Sequence, residues 1–313
     1  MQPVVLILGP TAGGKTSLSI ALSKMLPNGG ECICADSMQV YRGMDIGTAK
    51  PTKEEQAQVQ HHLLDIVDPE EDGFTVEMWL TRANEAIRDI RSRGKWPIVV
   101  GGTNLYVQVL LYGMFDAPEC DPRIRSTLES NTNDQLHERL QLLDPETSTR
   151  IHVNDRRRMI RAIEVCEETG EQLSTLQSQW SQPNPRADAT IIGLDWPVDV
   201  INKRINARVK LMINQGLLNE VKMFKGRLGR QASEALGYKQ LLVHLRGDCT
   251  LDDAVEQIKI MTRRYGKQQR NWLRRFRMLP SAHFIEMHEN DMQSVIIQAV
   301  THITSVDILQ NGT

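Results

Sequence analysis

Residues Gly9-Pro10-Thr11-Ala12-Gly13-Gly14-Lys15-Thr16 fit the pattern G-x-x-x-x-G-K-[ST]. They lie between an apolar run, Val4 to Leu8, and a helical pattern, Ser17 to Met25. That strand–loop–helix context is what gives the pattern meaning. Glycines let backbone N–H groups close round phosphate oxygens, and the N-terminus of the following helix adds a favourable field. Lys15 supplies a point charge and Thr16 a hydroxyl ligand for a magnesium ion. A chain that starts this way is expected to be α/β, with a P-loop NTPase-like parallel sheet. The loop says phosphate or diphosphate; it does not say whose.

The rest of the first hundred residues supports that class. Strands are expected at Glu31 to Ala35 and Trp96 to Val100, and a helix at Thr75 to Arg93. A polar connection spans Ser37 to Gln60, and a short apolar stretch runs from Leu63 to Val67. Alternation of this kind implies parallel strands with crossover helices, whose ligands bind beyond the carboxyl ends of the strands. Three groups fall at such ends: the loop, Asp36, and Gly101-Gly102-Thr103. From near Asp116 to Arg186 the pattern is helical and highly charged, without a strand. It reads as a helical insertion, 118–186, in a core formed by 1–117 and 187–313, with a Pro/Asn-rich linker at Ser181 to Pro185. A strand resumes at Thr190 to Trp196. Helices start near Val198, Leu217, Glu234 and Leu251, the last with a capping box of Thr250 and Asp253. A strand, His283 to Met287, precedes a final helix.

No apolar run approaches the ~20 residues of a membrane span. The first strand begins close to Met1, so no leader is expected. Five scattered cysteines, Cys32, Cys34, Cys120, Cys166 and Cys249, form no C-x-x-C pair and read as reduced thiols of a cytoplasmic protein. The net charge is −2, so a nucleic-acid surface must be a local patch. Two patches qualify. Arg156, Arg157, Arg158 and Arg161 cluster in the insertion. Arg263, Lys267, Arg270, Arg274 and Arg277 recur at helical steps and form one stripe. Ile258, Met261, Tyr265, Trp272 and Phe276 are expected on the buried side. A phosphodiester backbone is the natural partner of such a row; a solvated charged face is the alternative.

Among the carboxylates Asp36 stands out, at the end of an apolar strand one strand along from the loop. An acid there can orient or deprotonate a nucleophile beside bound phosphates, cap a helix, or support magnesium from behind. A motor ATPase would carry a magnesium-holding Asp after Ile98-Val99-Val100, and this chain has Gly101 instead; Asp65 and Asp68 are possible substitutes. Thr103 either faces substrate or caps the next helix. The adjacent His61 and His62 would point to opposite sides of a strand, which disfavours a joint metal site.

Together these residues resemble the tRNA dimethylallyltransferases, also called tRNA isopentenyltransferases, over nearly the whole chain. The most specific stretches are Gly9 to Thr16 and Ala35 to Pro51. His62 to Asp65, Val100 to Tyr106, Asn154-Asp155 with Arg161 to Glu164, and Gly237-Tyr238-Lys239 add to them. The resemblance implies transfer of a dimethylallyl group from dimethylallyl diphosphate to the exocyclic amine of an adenosine beside the anticodon of tRNA. It implies that Gly9, Pro10, Thr11, Ala12, Gly13, Gly14, Lys15, Thr16 and Arg208 hold the diphosphate, with Mg2+ on Thr16. Lys15 and Thr16 would assist departure of the diphosphate, and Asp36 would take the proton of the amine. Asp36, Ser37, Met38, Gln39, Thr103, Arg125, Arg157, Arg158, Arg161, Arg263, Lys267 and Arg270 would meet the tRNA anticodon stem-loop, with the chain acting as a monomer. The bacterial form is implied by the lack of the eukaryotic zinc finger. One departure concerns Lys267-Gln268-Gln269-Arg270-Asn271-Trp272, where the family often has Lys-Arg-Gln-x-Thr-Trp. Three rival readings stay open at this point: a kinase using ATP at the same loop, a prenyltransferase acting on free AMP or ATP, and a non-enzymatic RNA-binding switch.

Overall fold

The structure, a computed structural model, describes residues 2–114, 121–181, 185–288 and 291–311. Cys120, the expected 117/118 boundary and most of the expected linker lie outside them. The chain forms two compact units, Met1–Leu110 with Ala187–Thr313, and Leu111–Arg186. The first begins with β1 (Val4–Leu8), α1 (Lys15–Met25), β2 (Gly30–Cys34), α2 (Lys53–Gln56), β3 (His61–His62), α3 (Val76–Ser92), β4 (Trp96–Val100) and α4 (Asn104–Tyr112). The second holds α5 (Pro122–Ser130), α6 (Asn133–Leu143), α7 (Pro145–Arg150), α8 (Arg156–Thr169) and α9 (Leu173–Gln177). The first unit resumes with β5 (Ala189–Asp195), α10 (Val198–Asn214), α11 (Leu217–Met223) and α12 (Arg230–Ser233). It closes with α13 (Tyr238–Leu245), α14 (Leu251–Phe276), β6 (Ala282–Glu286) and α15 (Met292–Asn311).

The six strands are all parallel, in the order β3-β2-β4-β1-β5-β6. Every residue of β1 is buried, and the strand pairs with β4 on one side and β5 on the other. A strand covered on both faces reads as a continuous apolar run. Asp36 is not one strand along from the loop, as its place in the sequence suggested. β4 lies between β1 and β2. The crossover through α1 passes that place, and the chain returns through α3 to fill it; right-handed connections in opposite directions put these helices on opposite faces. One face is packed by Leu18 and Leu22 of α1, Ile201 and Ile205 of α10, and Val295, Ala299 and Ile303 of α15. The helical unit has a core of its own, centred on Leu128, Leu136, Leu140, Met159 and Ile163.

The apolar stretch Leu63 to Val67 forms no regular strand: Leu63 and Asp65 adopt φ of 64° and 55°, values no strand permits. The pairing there is limited to β3 and a single bridge between Tyr41 and Val67. The helix expected near Glu234 is two short ones, α12 and α13, because Gly237 between them has φ of 93°. On α14 the buried residues are Ala254, Ile258, Gly266, Gln269, Leu273 and Phe276. Met261, Tyr265 and Trp272 are only half-buried, so the basic row flanks the buried face rather than opposing it. The capping box forms as expected, with Asp253 N–H donating to Thr250 Oγ1 at 3.2 Å and Thr250 N–H to Asp253 Oδ2 at 3.3 Å.

The polar connection after β2 is a built structure. Glu220 of α11, buried, accepts hydrogen bonds from the N–H groups of Asp45, Ile46 and Gly47 at 3.0, 2.8 and 3.0 Å. The Tyr238 hydroxyl donates to the same carboxylate. Lys50 donates to Tyr41 O at 2.8 Å and pairs with Asp45 and Asp65 at 2.6 and 2.5 Å. Glu220→Ala orphans four donors at once. It is expected to cost ~2–4 kcal/mol of stability, read from the shift of the urea midpoint at unchanged slope. A midpoint within experimental error of the parent would show that the connection does not depend on Glu220.

Candidate active site

The phosphate loop is held from outside. Gly13 N–H donates to Pro10 O at 3.1 Å and closes the turn. Two outward carbonyls are taken by side chains: Ala12 O accepts from Arg204 Nε and Gly13 O from Trp196 Nε1, both at 3.0 Å. Arg204 also stacks on the Trp196 ring at 4.5 Å. Thr11 N–H donates to Gln269 Oε1 at 2.7 Å. Lys15 Nζ donates to Gly9 O and Pro10 O at 3.0 and 2.9 Å. The first-turn amides of α1 have no helical carbonyl to reach, and Gly14, Lys15, Thr16 and Ser17 all line one cavity.

That cavity, about 670 Å³, belongs to the first unit. Asp36, Gly101, Gly102, Arg208, Tyr265 and Gln269 line it with the loop, and Ile46, Leu64, Leu211 and Met212 give it an apolar wall. Asp36 Oδ1 accepts from the N–H groups of Met38 and Gln39 at 2.9 and 3.3 Å, so one oxygen caps its own turn. Burial raises its pKa, opposed by those two donors and the field of Lys15. Burial, with Arg208 adding repulsion, lowers the Lys15 pKa to about 8 against the pull of Asp36. Burial also lowers that of Arg208, helped by Arg204. Arg208 makes no hydrogen bond or ion pair with another described residue, so its charge is available to an anion in the cavity. Such a set of like charges round a loop of amides is stabilised by a polyanion.

Magnesium can be tested against the residues present. Among the described residues no group of three or more His, Cys, Asp or Glu could cage a metal. Thr16 lines the cavity, and its hydroxyl bonds to no other described residue. Mg2+ is typically held by few protein ligands plus phosphate oxygens and water, so Thr16 beside a bound diphosphate fits. Neither Asp65 nor Asp68 lines the cavity; Asp65 pairs with Lys50, and Asp68 accepts from Glu70 N–H at 3.0 Å. His62 turns to Glu31 at 2.8 Å, whereas His61 lines the cavity.

Thr103 does not cap α4. Its Oγ1 accepts from Ser37 N–H at 2.9 Å and lies 3.3 Å from Ser37 Oγ, tethering the turn that carries Asp36. Gln39 donates to Thr48 O and Ala49 O at 3.0 and 3.2 Å, joining that turn to the connection below it. In the helical unit, Arg125 is gripped by both oxygens of fully buried Glu164 at 2.5 and 2.8 Å, with Arg161 at 3.8 Å from the same carboxylate. Arg156 binds Asn133 Oδ1 and Glu129 O at 3.1 and 2.7 Å, and so supports the unit. Arg157 and Arg158 are exposed. On α14, Lys267 is exposed, Arg263 donates to Asn206 Oδ1 at 2.6 Å, and Arg270 is half-buried. Four residues that shape the site escaped sequence reasoning: Trp196, Arg204, Glu220 and Gln269. Two of them left a signal: Gln269, as the glutamine that the Lys267 to Trp272 stretch keeps from the family pattern, and Arg204, which opens the stretch Arg204-Ile-Asn-Ala-Arg208 that ends in the diphosphate arginine.

A phosphate loop, two cations and a half-buried carboxylate round one cavity define an α/β transferase-type site for a phosphorylated substrate. Residues 39–276 match the family described as IPP transferase, and the chain belongs to that family. It is 42% identical over 302 residues to a tRNA dimethylallyltransferase of Bacillus pumilus, covering 92% of this chain and 93% of that one. It is 41% identical over 307 residues to one of Acetivibrio thermocellus, covering 95% and 96%. Among solved structures, the full-length tRNA isopentenylpyrophosphate transferase of Bacillus halodurans superposes with a TM-score of 0.72 at 37% identity, covering 99% of both chains. A eukaryotic dimethylallyltransferase acting on tRNA does so with 0.81 at 29% identity, covering 97% of this chain and 80% of the other.

Proposed function

We propose that this chain transfers a dimethylallyl group from dimethylallyl diphosphate to the exocyclic amine of the adenosine 3′ of the anticodon in tRNA. The observation that carries the reading is one cavity lined by Lys15, Arg208, the phosphate loop with the first turn of α1, and half-buried Asp36. The loop residues Gly9 to Thr16 and Arg208 hold the diphosphate. Asp36 receives a proton from the adenine amine as the nitrogen bonds to the prenyl carbon and the C–O bond to diphosphate breaks. Thr16 would hold magnesium beside the bound diphosphate, and the ion would supply charge neutralisation for the leaving group. The target base leaves its stack to reach the cavity. The apolar wall of Ile46, Leu64, Leu211 and Met212 suits a prenyl chain better than a sugar, which disfavours the kinase reading. No described helix is long and apolar enough to cross a membrane.

One incubation tests the reading: labelled dimethylallyl diphosphate or ATP offered with tRNA, AMP or neither. Label from the prenyl donor in tRNA alone is the expected result. Label in AMP, or transfer from ATP, would overturn it.

For tRNA, the residues proposed on sequence grounds divide by exposure. Arg125, Arg161 and Arg263 pair within the protein and Arg270 is half-buried, whereas Arg157, Lys267 and Arg158, the last 3.4 Å from Asp155, are exposed. Replacing these three by alanine is expected to flatten log K against log salt for tRNA by ~0.7–0.9 for each phosphate that is no longer neutralised. A parental slope in the triple variant would make them a solvated surface.

A further inference from the structure

Gln269 is buried at 2% exposure, an unusual place for an amide on an amphipathic helix. Its two polar atoms are spent on two different strand ends. Oε1 accepts from Thr11 N–H of the phosphate loop at 2.7 Å, after β1. Nε2 donates to Gly102 O at 3.0 Å, after β4. The same carbonyl also accepts from the Tyr265 hydroxyl at 2.9 Å, one turn back on α14. Next along the chain, Thr103 holds the turn of Asp36 through Ser37. β4 separates β1 from β2, so no direct strand pairing sets the loop against Asp36. The route through Gln269, Gly102 and Thr103 does. Close approach is built into it: a Cβ on Gly101 would lie 2.1 Å from Ala35 O, and one on Gly102 2.2 Å from Gln269 Nε2.

We infer that Gln269 is a positioning residue which, through its amide bridge between Thr11 and Gly102, sets the distance between the diphosphate cradle and the Asp36 carboxylate. The inference rests on the reaction proposed above, because only a two-substrate displacement needs that distance held. The amine, the prenyl carbon and the departing oxygen must align, and a misplacement of about 1 Å can cost ~10²-fold in rate. A glutamine is suited to the place because it offers one acceptor and one donor in a rigid plane. A glutamate would keep the acceptor, lose the donor and set a second oxygen against Gly102 O.

The test uses Gln269→Leu, Gln269→Glu, Gly102→Ala and the Gln269→Leu/Gly102→Ala pair in the full chain, with thermal midpoints measured alongside. With both substrates saturating, Gln269→Leu should lower the single-turnover rate by ~10²-fold. The KM for dimethylallyl diphosphate and the Kd for tRNA should each move by less than about threefold, since Gln269 spends its polar atoms on Thr11 N–H and Gly102 O rather than on either substrate. Gln269→Glu, of nearly the same shape, should not restore the rate. Gly102→Ala, which displaces the amide, should fall in the same range, and the pair should be no slower than its slower single, because both remove one unit. A rate loss seen only as a raised donor KM, a Glu variant at parental rate, or effects that multiply in the pair would each overturn the inference. So would a loss that tracks the unfolded fraction. Failure of the reaction reading is a separate event: the parent itself would transfer no prenyl group in the incubation above.

Discussion

Replacing Asp36 by asparagine is expected to lower the single-turnover rate of prenyl transfer by ~10²–10⁴-fold, the range for loss of a general base. Asparagine keeps an oxygen for the Met38 and Gln39 N–H groups, so the turn that Thr103 tethers should survive. What disappears is the proton acceptor. The exocyclic amine of adenine is a poor nucleophile because its lone pair is delocalised into the ring, and its attack develops positive charge that a carboxylate at this place both stabilises and discharges. Burial raises the pKa of Asp36 and thereby makes it a better base. The same shift sets the pH dependence. The ionised form is the active one, so the parental rate should fall as pH is lowered through that raised value, at higher pH than an unperturbed aspartate would allow. Binding of tRNA, followed by filter retention, should change little in the asparagine variant. A rate close to the parent's would remove Asp36 from the mechanism.

The parts of this site that local chemistry specifies were legible in the sequence. The spacing Gly9 to Thr16 encodes the loop whatever lies around it. An Asp after a buried strand marks a carboxylate at a sheet end. Thr250 and Asp253 settle a helix start within four residues. What could not be read depends on strand order, which sequence periodicity does not carry. Asp36 seemed to lie one strand from the loop; with β4 inserted, Gly101 to Thr103 come between them. The face of α14 was misjudged for a related reason. Counting apolar residues favours Tyr265 and Trp272, but the buried place opposite the phosphate loop goes to Gln269 and Gly266, a polar and a small residue chosen by what they touch. In the same way Arg156 to Arg161 read as one basic cluster. Once folded, Arg156 serves α5 and Asn133, and only Arg157 and Arg158 stay exposed.

Lys15→Ala is expected to reduce kcat/KM for dimethylallyl diphosphate by ~10²–10³-fold, the loss typical of one preorganised donor aimed at developing charge. The KM for tRNA should change far less. The ammonium is held over the loop by Gly9 O and Pro10 O, with Arg208 and Asp36 as the charged neighbours that perturb it. Its pKa near 8 gives the assignment a second readout. Only the protonated form attracts a diphosphate, and above pH 8 the diphosphate gains no further charge to compensate. The parental KM for the donor should therefore rise as pH passes through about 8. Bound diphosphate holds the proton on Lys15 and lifts its pKa, so kcat should be flatter than KM over the same interval. The alanine variant has no such proton to lose, and its donor KM, already high, should lack that alkaline limb. If the limb persisted in the variant, the titrating group would be elsewhere. If Lys15→Ala raised only the KM for tRNA, the phosphate loop would be holding the nucleic acid, and the donor would have to bind on the Asp36 side of the cavity.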